Sequence, residues 1–205
     1  MAIADNVLTE MKPVPYAKAR ALVQNGDLLL CSATDPFSRL IRWSTKTPWS
    51  HIAVAYRIES LDRVMVFEAV EKIGVRTVPL STFISKTSGG VHPYPGKILL
   101  ARDQRFEGVD DKKKRAMYDF AFQRLGDRFA PGEIAKIAVR MMLGRMARKM
   151  PKMLGAKNEF ICSEYVAKCY AKAGLKIPWD GLGFIAPGDF ALAPDVQAIA
   201  QIKTR

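Results

Sequence analysis

At 205 residues, 49% hydrophobic and 25% charged, the chain has the size and composition of one domain with a substantial core. Three cysteines, at 31, 162 and 169, exclude a disulfide framework and fit a reducing compartment, and the absence of any run of 18 apolar residues excludes a membrane-spanning helix. A formal charge of +12 leaves nucleic acid, anionic lipid and anionic cell-wall polymer open as partners.

The opening MAIADNVLTEMKP carries acids and lacks an apolar h-region, so a cytoplasmic location is expected, with phage origin or release by lysis as routes outward. Residues 14–24 predict a short helix stopped by Asn25-Gly26, and the apolar run LLLC a buried strand. Asp35-Pro36 is an N-cap followed by proline at the first helical position. The helix it starts should end near Thr45, with Phe37, Leu40 and Ile41 as its core face. HIAVAYRI, at 51–58, and RVMVFEAV predict a hairpin across the break at 59–62. Residues 74–80 and 97–101 predict two more strands, and SGGVHPYPG the loop before the second of these.

From residue 110 the pattern turns helical. Tyr118, Ala121, Phe122 and Leu125 share one face of a helix ending near Gly126, and another helix is expected from Pro131 to about Lys149. In FICSEYVAKCYAKAGL, Cys162, Val166, Cys169, Tyr170 and Ala173 stand at i, i+4, i+7, i+8 and i+11, an apolar stripe with Lys168 and Lys172 off it. The Gly- and Pro-rich KIPWDGLGFIAPGDFALAPD is expected to lie over the surface as ordered loop.

Cys162 is the candidate nucleophile, because a thiol at a helix start meets unpaired N–H groups and the positive end of the dipole. Cys31 and Cys169 read as small buried hydrophobes. Of the two histidines, His92 lies in a loop and His51 on a strand, the more rigid mount for a base. It shares its face with Ala53 and Ala55, whose small side chains should leave space above the ring. Glu68 is a carboxylate inside a strand that otherwise reads as buried. An even-length connection puts it on the face of His51, where it would orient the imidazole; an odd one would separate them. The alternative role for Glu68 is a partner for a lysine or arginine at a strand edge. Tyr56 has the opposite parity to His51, so it is expected in the core, with a hydroxyl aimed at an oxyanion as the other reading. Ser163 and Glu164 suit capping and the dipole at the helix start; Ser163 is also a candidate substrate or oxyanion contact. The backbone N–H of Cys162 is the better oxyanion donor.

GDLLL, then WSHIAVAY, VFEAV with IGVRTVPL, and finally FICSEYV with Cys162-Ser163-Glu164, resemble in order the circularly permuted NlpC-like cysteine peptidases of the YiiX type. These have a papain-like fold and are kin to the lecithin:retinol acyltransferase group. Pro187-Gly188-Asp189-Phe190 resembles the family's closing segment. The resemblance spans roughly residues 22–195 and implies His51 as general base, Glu68 as orienting residue and Cys162 as nucleophile.

Residues 131–157 do not match that pattern. They hold seven basic side chains against Glu133, half of the chain's net charge, and five of its nine methionines. This insert suits an anionic lipid or cell-wall surface, or a partner helix; an ordinary packed helix with a basic outer face is the alternative. It lacks the interleaved aromatics that stacking on nucleic acid needs.

The expected fold is α+β over a single domain, 1–205: an antiparallel sheet carrying His51 and Glu68, with the Cys162 helix packed on it. The expected activity is hydrolysis of an amide through a thioester, with stem peptides of peptidoglycan as one substrate. A lipid acyltransferase or thioesterase at a membrane surface is the second reading, and a non-catalytic basic or virion-associated module the third. No cofactor is expected, and the scattered histidines and cysteines lack zinc spacing.

Overall fold

A computed structural model describes residues 2–85, 93–129, 159–178 and 185–204. His92 with the first part of its loop, the helix expected from Pro131 and the basic insert at 131–157 fall outside the described residues.

Six strands form one sheet: β1 (Leu28–Ala33), β2 (His51–Ile58), β3 (Arg63–Val70), β4 (Gly74–Pro79), β5 (Gly96–Asp103) and β8 (Val196–Ile202). Their order is β4-β3-β2-β1-β5-β8, with every neighbouring pair antiparallel. A two-stranded parallel ladder, β6 (Arg128–Phe129) with β7 (Glu159–Phe160), forms a separate sheet beside β4. β1 is buried along its whole length because it lies mid-sheet with both faces covered, which is why it reads as an unbroken apolar run. The helices are α1 (Val7–Glu10), α2 (Tyr16–Leu22), α3 (Pro36–Thr45), α4 (Leu80–Ser85), α5 (Asp111–Gln123), α6 (Cys162–Lys172) and α7 (Pro187–Leu192).

Period-two alternation divides the core. Ile52, Val54, Phe67 and Ala69 face α5 and α6. Ala53, Ala55 and Val66 face the other way, into a cluster with Ala19 of α2 and Leu80, Phe83 and Ile84 of α4. Ala53 and Ala55 are wholly buried there, and His51, on the same face at the end of β2, lines a pocket.

Three expectations change. The stretch expected as surface loop contains α7, and Pro187, Gly188, Phe190 and Ala191 of it are buried. Proline at its first position and the Asp189 carboxylate, which accepts from the Ala186 N–H at 2.7 Å, start this helix. Phe190 holds it, edge-on to Tyr170 with ring centroids 6.1 Å apart. Gly188 is required by proximity: a Cβ there would stand 2.6 Å from Thr47 Cγ2. Second, β8 follows where no strand was expected, and it pairs with β5 across a bulge at Leu100/Ala101. Third, α3 begins as expected, with the Asp35 carboxylate accepting from Ser38 N–H at 2.9 Å, yet Phe37, Leu40 and Ile41 make no core face. Ser38 is the one residue of α3 that is buried. α3 lies beside a pocket, so Phe37 and Ile41 line the pocket while Leu40 stays 37% exposed.

Candidate active site

The hairpin register brings His51 and Glu68 together. Glu59–Asp62 connect β2 to β3, and Asp62 takes the left-handed conformation (φ 45°) that closes the turn. Four residues is an even count, and Val54 pairs with Phe67 and Ile58 with Arg63. Continuing that ladder sets Glu68 beside Ala53, on the face of His51 and diagonal to it. The side chains meet: His51 Nε2 lies 2.8 Å from Glu68 Oε2.

Glu68 also does what the alternative reading asked of it. Across the next ladder Glu68 pairs with Arg76, whose Nε and Nη2 reach Oε1 at 2.8 and 2.7 Å. One carboxylate oxygen therefore holds the imidazole and the other holds the guanidinium. Arg76 was not singled out from the sequence. The available signal was the tight β3–β4 turn, which sets Glu68 and Arg76 directly opposite.

α6 sits on the other face of the sheet, so Cys162 and His51 come from opposite sides. They meet at the sheet's end because each opens its element: His51 is the first residue of β2 and Cys162 the first of α6. Three hydrogen bonds fix α6 there. Tyr170 Oη donates to Gly26 O (2.5 Å), Tyr165 Oη to Ala121 O (3.1 Å) and Ser163 Oγ to Ile185 O (2.7 Å). Ser163 is buried and its hydroxyl is engaged in this tie, so it does not cap α6. Tyr56 is not brought to the site. It lies five residues along β2, against Tyr118 at 4.3 Å between centroids, with Phe67 and Phe122.

His51, Glu68 and Cys162 line one pocket of about 430 Å³. Phe37 and Ile41 of α3, Phe83 and Tyr94 form apolar wall, and Lys72 and Arg76 supply positive charge. Electrostatics favour a charged imidazole. Burial opposes the imidazolium, but the charge and hydrogen bonding of Cys162, with those of Glu68, raise His51 from 6.5 to about 10. For Glu68 burial again works against charge, and the hydrogen bond and charge of His51, followed by Arg76, hold the carboxyl below its usual value. Cys31, directly across the ladder from His51, is wholly buried and burial pushes its thiol well up; burial likewise raises Cys169 to about 12. Both are inert by that measure.

Over residues 22–182 the sequence matches the family model described as "Permuted papain-like amidase enzyme, YaeF/YiiX, C92 family". The chain belongs to that family. The fold agrees: the crystal structure of the metalloprotein YiiX from Escherichia coli O157:H7 superposes with a TM-score of 0.62 at 18% identity, covering 87% of this chain and 97% of that one. No curated protein matches the sequence. The α+β architecture is thus the permuted papain-like one, in which the histidine strand precedes the cysteine helix in the chain. YiiX is described as a metalloprotein. Among the described residues of this chain, no group of three or more His, Cys, Asp or Glu side chains is placed to hold a metal ion.

Proposed function

We propose that this member of the permuted amidase family is a cysteine hydrolase that cleaves an amide through a thioester on Cys162. The reading is carried by one observation: the His51–Glu68 hydrogen bond of 2.8 Å at the pocket that Cys162 lines. Glu68 accepts the Nε2 proton, which leaves the lone pair of a neutral imidazole on Nδ1, and Arg76 keeps the carboxylate charged and oriented.

In this mechanism the Cys162 sulfur attacks the carbonyl carbon and its proton resides on His51. The carbonyl oxygen becomes an oxyanion. The Cys162 backbone N–H stabilises it, being one of the first-turn donors that an α-helix leaves without intrahelical partners. Collapse breaks the C–N bond, and His51 gives its proton to the departing amine. Water, deprotonated by His51, then attacks the thioester, releasing the acid and restoring the thiol.

The acyl donor identifies the substrate class. Wild type and Cys162→Ser are incubated with stem peptides of peptidoglycan and with phospholipid, and the intact protein is weighed by mass spectrometry. A wild-type acyl adduct mapping to Cys162 is expected, and its mass names the donor. An adduct on Cys31 or Cys169, or turnover retained in Cys162→Ser, would sink the proposal. Acyl transfer from a lipid is the second reading, favoured by the outward side of α3.

A further inference from the structure

α3 has the sequence of an amphipathic helix, yet it buries only Ser38. Its apolar residues divide instead. Phe37 and Ile41 line the pocket, whereas Leu40 is 37% exposed and Trp43 65% exposed. Arg39 and Lys46 stand exposed beside them, and Arg42 leans on the Ser32 hydroxyl at 3.4 Å. α3 contains no acid, and its cap Asp35 is engaged with the Ser38 N–H.

The turn between β3 and β4 repeats the pattern across the pocket. Val70, Glu71 and Lys72 line the pocket, and Ile73, next in the chain, is 46% exposed. Lys72 is exposed and cationic; Glu71 is the one acid there. Two elements that wall the same pocket therefore each present an outward aliphatic or aromatic group with cations alongside.

We propose that the outward side of α3, with the β3–β4 turn, docks the protein on an anionic lipid bilayer and brings the Cys162 pocket to the membrane surface. Tryptophan settles at the headgroup level, where its ring is apolar and its N–H finds a partner. Leucine and isoleucine enter the acyl boundary beneath, and flanking Arg and Lys meet anionic headgroups. A phosphate backbone would take the cations but offers nothing to Leu40 and Ile73. A second copy would set cation against cation in a chain already at +12. This docking is read without turnover, so it stands or falls separately from the amidase mechanism.

The test is cosedimentation of the full chain with vesicles of phosphatidylglycerol and phosphatidylcholine, and with pure phosphatidylcholine, at low and high salt. Binding to the anionic vesicles that weakens with salt is expected. Trp43→Ala should lower partition about tenfold through lost insertion. Arg39→Gln and Lys46→Gln should each lower it about fivefold. In a Trp179→Phe background, which leaves Trp43 and the buried Trp49, brominated lipids should quench the tryptophan emission, and adding Trp43→Phe should abolish the quenching. Trp43→Ala, Trp43→Phe, Arg39→Gln and Lys46→Gln should each melt like wild type, since these three side chains are exposed. Vesicle binding that is absent, or unchanged in Trp43→Ala and Arg39→Gln/Lys46→Gln, would overturn the proposal. So would capture by peptidoglycan sacculi with no vesicle binding, which would assign the surface to a cell-wall polymer.

Discussion

α6 and α3 are both amphipathic by sequence, and they end in opposite environments. α6 buries Tyr165, Val166, Cys169 and Tyr170 against the sheet and is tied down by three side-chain hydrogen bonds. α3 buries one serine. A stripe at helical spacing states that a face is apolar, not what will cover it. The cover depends on where the element lies: α6 packs between α5 and strands β2 and β3, whereas α3 lies against β1 and beside the pocket. The buried helix can hold a nucleophile in one place. The exposed one is free to meet something else.

The largest effect should come from the thiol itself. Cys162→Ala should lower amide turnover by at least about 10⁴-fold while leaving the fold intact, read by steady-state hydrolysis alongside circular dichroism. Next is the hairpin pair. Glu68→Gln removes the charge that both His51 and Arg76 rely on, and should slow turnover by about 10²- to 10⁴-fold. Glu68→Ala should also cost about 3–5 kcal/mol of stability, because it leaves the partly buried Arg76 without its partner. A smaller loss at either readout would mean that Glu68 only joins strands.

The contrast between the helices is tested by stability alone. Tyr170→Phe leaves the buried Gly26 carbonyl without its donor and should cost about 1–3 kcal/mol in urea unfolding. Tyr170→Ala should cost about 3–5 kcal/mol. Leu40→Ser on α3 should shift stability by no more than about 0.5 kcal/mol. Equal costs at Tyr170 and Leu40 would erase the distinction drawn between α6 and α3.

The pH dependence should follow the two shifted groups. His51, raised from 6.5 to about 10, contributes stability that is complete below 6.5 and is lost as pH climbs through about 10. Glu68, held below 4.5, contributes stability present above 4.5 and lost as pH falls through its lowered folded value. Melting temperature should therefore peak between about 4.5 and 6.5 and decline on both sides. The alkaline decline should shrink in Cys162→Ala, because Cys162 is among the groups that raise His51.

Much of the site could be read from residues alone. The even connection at Glu59–Asp62 fixes which side of the hairpin Glu68 occupies, and strand parity separates His51 from Tyr56. Arg76 was equally determined by the β3–β4 turn, but one more arginine in a basic chain carries no local mark. The closing segment was harder. Gly and Pro mark loops on average, and the local start at Pro187 and Asp189 is held as a helix by Phe190 packing against Tyr170. β8 depends on an open edge of β5, which no local pattern in 196–202 reveals.

The sequence by itself determined strands β1 to β5, the side each residue takes along them, and the helix that Cys162 begins. Those follow from dihedral periodicity and neighbouring residues, which act over a few positions. Tertiary structure decided what the residues meet. It brought Cys162 around the end of the sheet to His51, engaged Ser163 in a tie to Ile185 and left Trp43 exposed. Those outcomes depend on packing between segments about a hundred residues apart in places, and packing is fixed by shape and burial across the whole core rather than by any stretch of chain.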